Sequence, residues 1–173
     1  MRGSGGHLLY LDFDGVLHPS DVYWHPRRGV YLHPGVQGHA LFENVPLLLE
    51  ALEPFSRVKV VLSTSWVPAR GYAKTVKRLP SALRDRIIGA TFHSGYMLHE
   101  TWRAIARGYQ VLGDVGRRRP KRWVALDDDF EDWPAEHADK LVKTHDRLGL
   151  RRPGAVEELV RHFKSWTSPE GQG

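Results

Sequence analysis

"LLYLDFDGVLHP", residues 8–19, sets two aspartates against an apolar run. Residues 7–13 read as a short buried strand, apolar and aromatic, punctuated at once by Gly15. Side chains alternate along extended backbone, so Asp12 and Asp14 point the same way and reach one point above the strand end. Two carboxylates gathered there repel one another, and burying either is costly unless something neutralises it.

Outward from this stretch, strand and helix signals alternate. "NVPLLLEALEPF" (44–55) is predicted helical, with Asn44 as its cap, Pro46 in its first turn and Pro54 near its end. "RVKVVLSTSW" (57–66) is predicted as a second strand that ends in the Ser63, Thr64 and Ser65 cluster. Residues 71–86 read as helical material interrupted at Pro80, and "IIGATF" (87–92) as a third strand. "ETWRAIARGYQVLGDV" (100–115) is predicted as a helix, "RWVALDDDF" (122–130) as a fourth strand running into acid, and "DKLVKTH" (139–145) as a fifth. "PGAVEELVRHFKSW" (153–166) closes the pattern as an amphipathic helix, with Val156, Leu159, Val160 and Phe163 on one face.

Such alternation implies an α/β, Rossmann-like domain, a parallel sheet with helices on both faces. One domain over residues 1–173 is expected, with 1–6 as a flexible or tag-derived tail and 167–173 as a frayed end. In such sheets the ligand lies beyond the carboxyl ends of the strands. Asp12 and Asp14, the Ser63–Ser65 cluster, and Asp127, Asp128 and Asp129 all fall at that one end.

Composition narrows the chemistry. The chain of 173 residues has no Cys, which excludes disulfides, thiolate metal sites and a thiol nucleophile. A net charge of +5 leans towards anionic partners. No segment approaches the ~20 apolar residues of a membrane span, so a soluble, cytoplasmic protein without a membrane partner is expected. The basic run at 117–122 reads as a solvated loop, and nothing in the sequence points to an oligomeric state.

A hard divalent cation resolves the crowding of carboxylates. Mg²⁺ takes oxygen ligands and is commonly held by one or two carboxylates plus substrate phosphate and water. Taken alone, each acidic motif has a plainer use: "DFDG" as an Asx-turn or helix cap, "DDD" as a solvated acidic turn. Together, with Ser/Thr on the strand between them, they point to a metal-assisted site with a carboxylate nucleophile.

"LDFDGVL", "VVLSTSW" and "WVALDDD" resemble the motifs of the haloacid dehalogenase (HAD) superfamily of phosphotransferases, and "LVKTHDRLGL" adds to the match. More narrowly, "LDFDGVLHP", "LSTSW", the "RG" of "RGYQVLGDV" and "LDDD" resemble the small capless HAD domain of RNA-repair proteins. The resemblance implies that Asp12 is the nucleophile and forms an aspartyl-phosphate. It makes Asp14 the general acid and then the general base, and lets its backbone carbonyl serve Mg²⁺. It gives Ser63 the phosphoryl oxygens, with Thr64 and Ser65 as nearby alternatives, and completes a metal set of Asp12, Asp14, Asp127 and Asp128. It also implies a cation beside the nucleophile. Arg107 is the choice, 20 residues before Asp127 and heading the "RG" piece, with Arg103 next; Lys121 would stand at the wrong end of its strand.

Many HAD relatives carry a cap domain, but residues 18–42 are too few to fold one. This stretch, read as irregular, is expected to form a flap over the site, open enough for the end of a polymer. Trp24, Arg27 and Arg28 are its candidate substrate contacts, offering a stacking face and phosphate contacts; an ordinary loop packed by its own aromatics is the plain alternative. Four histidines, 18, 25, 33 and 39, match no zinc spacing. The function expected is a Mg²⁺-dependent phosphomonoester hydrolase acting on nucleic-acid 3′ ends or nucleotides. The alternatives are a small-molecule or phosphoprotein phosphatase, and a non-catalytic nucleic-acid-binding module.

Overall fold

A computed structural model describes residues 6–167. In chain order it forms β1 (His7–Leu11), β2 (Val22–His25), β3 (Gly29–Leu32), α1 (Val45–Leu52), β4 (Val58–Leu62), α2 (Trp66–Arg70), α3 (Tyr72–Val76) and α4 (Ser81–Arg84). It continues with β5 (Ile87–Ala90), α5 (His99–Arg103), α6 (Arg107–Arg118), β6 (Arg122–Asp127), β7 (Leu141–Lys143) and α7 (Ala155–Thr167). Five strands make one parallel sheet in the order β5-β4-β1-β6-β7, while β2 and β3 pair separately as an antiparallel hairpin.

The central strand explains the arrangement. Leu8, Leu9, Tyr10 and Leu11 of β1 are all buried, as a strand covered on both faces must be. Leu9 and Leu11 join a core formed with Leu48 and Leu52 of α1 and Leu159 and Phe163 of α7. Leu8 and Tyr10 face the other way, onto Val111 of α6 together with Val61, Ala125 and Leu141. Each fully buried Leu or Phe of this kind contributes about 1.5–3 kcal/mol relative to exposure. Val156 and Val160 of α7 pack on the rim of the same core, while Leu159 and Phe163 are wholly enclosed.

Register, more than any single contact, builds the site. Leu11 pairs with Leu62 of β4 on one side and with Leu126 of β6 on the other. All three strands run the same way, so the next residue of each, Asp12, Ser63 and Asp127, emerges at the same edge. The ladder carries on past the strands: Ser63 N–H donates to Leu11 O at 2.8 Å, and Asp12 N–H to Leu126 O at 3.2 Å.

Several local expectations change. The stretch 18–42 is not wholly irregular, because Val22–His25 and Gly29–Leu32 pair through a turn at Gly29, φ +72°. The predicted second strand stops at Leu62, and "STSW" turns directly into α2. The predicted helix over 100–115 breaks between α5 and α6. There the Gln110 amide donates to the carbonyls of Trp102 and Ile105, both at 2.9 Å, satisfying groups that a continuous helix would have used. Asn44 precedes α1 but makes no side-chain cap; its amide instead ties Val16 O to Leu148 O. The two tails fall mostly outside the described residues. Of their inner ends, Gly6 O accepts from Lys121 N–H and Thr167 completes α7.

Candidate active site

The "DFDG" turn leaves β1 through Gly15, whose φ of +70° suits glycine. A Cβ at Gly15 would also overlap the Asp128 carboxylate, so its absence is what lets the loop after β6 close onto the loop after β1. Thr144 Oγ1, just beyond β7, donates to Gly15 O at 2.6 Å and pins the turn from the other side.

Asp12, Asp127 and Asp128 each offer a carboxylate oxygen, and these atoms all lie within 4.8 Å of one another. Asp12 and Asp127 are almost wholly buried, and Asp128 is partly so. Backbone donors hold the first two: Phe13 N–H reaches Asp12 Oδ1 at 2.8 Å, and Asp129 N–H reaches Asp127 Oδ1 at 3.0 Å. The Thr64 hydroxyl beside Asp12 favours its charged form. Asp129 itself faces solvent and serves as the turn donor.

Arg107 is the cation of this cluster. It starts α6, so its side chain reaches back under the strand ends. Nη2 lies 3.6 Å from Asp12 Oδ2, Nε 3.3 Å from Asp127 Oδ2, and Nη1 donates to Ser63 O at 2.8 Å. The neighbouring Gly108 explains the "RG" pair. A Cβ there would sit 2.5 Å from Pro134 Cδ and press on Trp133, so glycine lets the segment after β6 pack against the start of α6. Among the described residues it is Arg107 and not Arg103 that pairs with the acidic cluster, and Lys121 lies before β6, at the opposite end of the strand.

One guanidinium does not balance the carboxylates. Burial pushes Asp12 up to about 6, with Arg107 opposing the shift and Asp14 adding to it. Burial, then Asp12, pushes Asp128 up to about 7. The same causes hold Asp127 well above the usual carboxylate range. Burial opposes the charge of Arg107, but Asp12 and Asp127 outweigh it. A buried, oxygen-only donor set short of positive charge fits a hard divalent cation such as Mg²⁺.

The Asp14 side chain stands apart from this set. His18, wholly buried, places Nε2 3.0 Å from Asp14 Oδ1, and the Trp66 indole Nε1–H donates to the same oxygen at 2.9 Å. Phe42 N–H donates to His18 Nδ1 at 3.1 Å, which leaves the proton of the neutral ring on Nε2. Both donors therefore grip Oδ1, and Oδ2 has no hydrogen-bond partner among the described residues. The Asp14 carboxylate is thus not a member of the metal-type cluster as the sequence had suggested; two N–H groups on its other flank turn it away. Only its backbone carbonyl remains for such a role.

Ser63 Oγ is buried without a hydrogen-bond partner among the described residues, an acceptor and donor with nothing to satisfy it at the strand edge. Ser65 is exposed and Thr64 buried. Beside Asp14 opens a cavity of about 580 Å³, lined by Tyr23, Trp24 and Val30 of the hairpin, by Ser65 and Trp66, and by Arg70 and Lys74. The hairpin supplies part of this wall, Trp24 included. Arg27 and Arg28 do not line it. They sit in the hairpin turn, where the Arg28 guanidinium lies 5.9 Å from the Tyr31 ring. His25, His33 and His39 serve local turns through Arg27 N–H, Gly35 N–H and Glu43.

The sequence reading missed His18 and Trp66 as partners of Asp14. The available signal was spacing: His18 follows Asp14 by four residues, and Trp66 follows the Ser/Thr cluster at once. Arg70 and Lys74 carried no signal, since each reads as a surface helix charge.

A parallel sheet with acidic, hydroxyl and guanidinium groups converging at its carboxyl edge defines a HAD-type α/β core. The chain belongs to the family described as the HAD domain in Swiss Army Knife RNA repair proteins, whose model matches residues 8–155. Membership suggests phosphohydrolase chemistry in general and the use of a divalent metal. No curated protein and no solved structure matches the chain. No helix among the described residues is long and apolar enough to cross a membrane.

Proposed function

We propose that the chain is a Mg²⁺-dependent phosphomonoester hydrolase that works through a phosphoryl group carried on Asp12, with nucleotides or nucleic-acid 3′ ends as substrates. The observation that carries this reading is the meeting of Asp12 with Arg107, Asp127 and Asp128 beside a separately held Asp14. Asp12, Asp127 and Asp128 would hold Mg²⁺, which would offset the charge of the phosphoryl oxygens.

The chain's own groups divide the work. Ser63 Oγ and Arg107 take phosphoryl oxygens and orient phosphorus towards Asp12. An Asp12 carboxylate oxygen bonds to phosphorus as the bond to the leaving alcohol breaks. Protonated Asp14 gives its Oδ2 proton to that departing oxygen. Asp14, now a carboxylate, then takes a proton from water as the water oxygen bonds to phosphorus. The Asp12–phosphorus bond breaks, inorganic phosphate leaves, and both carboxyl groups return to their starting states.

A phosphate-release screen with Mg²⁺ tests the proposal. Nucleotides, 3′-phosphorylated oligonucleotides, sugar phosphates and p-nitrophenyl phosphate are offered, each with an EDTA control. The expected result is EDTA-sensitive release, best from nucleotides or 3′-phosphorylated ends. Preference for sugar phosphates would favour a small-molecule phosphatase, and no release from any substrate would favour a binding module.

A further inference from the structure

The space beside Asp14 says what kind of alcohol leaves. A general acid must stand next to the oxygen it protonates. Whatever occupies the cavity against Asp14 is therefore the leaving group and not the transferred phosphoryl. We infer that this cavity is a second-anion subsite, in which Arg70 and Lys74 bind a further phosphate on a leaving group whose planar part lies against Trp24. The inference rests on the phosphohydrolase reading for the role of Asp14, and extends it to the part of the substrate that is not cut.

Three observations carry it. The wall holds two cations and no carboxylate other than Asp14. Neither Arg70 nor Lys74 has an ion-pair or hydrogen-bond partner among the described residues, although several other surface cations do. Arg152, for example, pairs with Glu158 at 2.9 Å, and Lys140 with Asp139 at 2.8 Å. Most tellingly, Arg70 Nη1 is buried yet unpartnered. A buried guanidinium N–H without an acceptor is costly, and an anionic ligand oxygen in the cavity would satisfy it.

Local structure fixes the pair in place. Gly71, φ +87°, ends α2 and starts α3, so the chain changes direction between the two basic residues. Thr75 Oγ1 bridges this joint, donating toward Trp66 O at 3.1 Å and Gly71 O at 2.9 Å. The cations therefore stand on an element tied to Trp66, which itself holds Asp14. Opposite, Trp24 is 61% exposed, a large aromatic surface left on the hairpin above a cationic floor. A cavity of about 580 Å³ accommodates a nucleoside with a phosphate. Aromatic faces with phosphate-binding cations are the chemistry that recognises such a group.

The ligand is thus a nucleoside phosphomonoester with a second phosphate or phosphodiester one nucleoside away. That chemistry is shared by a free nucleoside bisphosphate and by a phosphorylated strand end. The test compares adenosine 3′,5′-bisphosphate with adenosine 3′-monophosphate and 5′-monophosphate, and with a 3′-phosphorylated oligonucleotide. The proteins are the wild type and the Arg70→Gln/Lys74→Gln variant. In the wild type kcat/KM for the bisphosphate should exceed that for either monophosphate by about tenfold or more, the effect of roughly one charged hydrogen bond. In the variant that ratio should fall towards one. A further gain for the oligonucleotide would identify a strand end as the source, and no gain a free nucleotide.

A second measurement separates this inference from the reading it rests on. Calorimetric titration in EDTA compares binding of bisphosphate and monophosphate without requiring turnover. If no substrate is hydrolysed but the bisphosphate still binds about tenfold tighter, and loses that advantage in the variant, the subsite stands and the hydrolase reading fails. Equal binding and equal kcat/KM for bisphosphate and monophosphate in the wild type would overturn the subsite, even if the variant does not fold.

Discussion

Trp66 Nε1 donates to Asp14 Oδ1 at 2.9 Å across 52 residues of chain, and His18 meets the same oxygen from inside the core. The indole is packed edge-on to Phe13 and Phe42, so the donor has little freedom to leave. Trp66→Phe keeps most of this packing and deletes the N–H. General acid catalysis matters most for poor leaving groups. The variant should therefore lose about tenfold or more on an alkyl phosphate, and distinctly less on p-nitrophenyl phosphate. Equal losses on the two substrates would assign Trp66 a purely structural role.

Arg107 links three strand ends, touching Asp12, Asp127 and the Ser63 carbonyl. Arg107→Lys cannot reproduce the fork and should lower kcat at least about a hundredfold. Arg107→Ala also leaves buried carboxylates without their cation, so its melting temperature in EDTA should fall as well. Thermal melts alongside turnover check both, and a wild-type kcat in Arg107→Lys would remove Arg107 from the phosphoryl contacts.

Gly15 combines a left-handed φ with contact against Asp128. Gly15→Ala should push the acidic loop away and weaken Mg²⁺ binding by about tenfold or more, with destabilisation of about 1–3 kcal/mol. Calorimetric Mg²⁺ titration and denaturant melts read the two effects. Unchanged Mg²⁺ affinity would show that the loop position does not depend on this approach.

Metal and protons compete for the same oxygens. Burial raises the pKa values of Asp12 and Asp128 from 3.8 to about 6 and about 7. Raised acid pKa values mean that the folded state holds protons more tightly than the unfolded one. Their contribution to stability is full below about pH 4 and is lost as pH rises through about 6 to 7. Partial burial shifts His7, His93 and His162 down, and they act in the opposite sense, so the useful quantity is the gain from Mg²⁺. The rise in melting temperature on adding Mg²⁺ should be larger at about pH 7.5 than at about pH 5. A gain independent of pH would place the metal away from these carboxylates.

Much of this was legible in the sequence because it is local. The apolar run into Asp12, the Ser/Thr end of β4 and the acidic end of β6 each announce a strand and its functional edge, and parallel pairing brings them together. Arg107 was legible through its place beside Gly108. What escaped depends on contacts distant in sequence. The Gln110 amide breaks a helix that local propensity would continue. Asn44 leaves its capping position for the carbonyls of Val16 and Leu148. His18 and Trp66 become partners of Asp14 only once the hairpin and α2 fold against the same turn. Alternation alone does not reveal that the segment after His18 pairs with itself.

The central claim is that Asp12 carries the phosphoryl group, and the most direct measurement is Mg²⁺-supported turnover of p-nitrophenyl phosphate by wild type and Asp12→Asn. The substitution nearly preserves shape while removing the nucleophile. The account predicts a wild-type circular dichroism spectrum with a rate lower by about a thousandfold or more. A folded Asp12→Asn protein that retains more than about a tenth of wild-type turnover, a loss under about 1.4 kcal/mol, would contradict it.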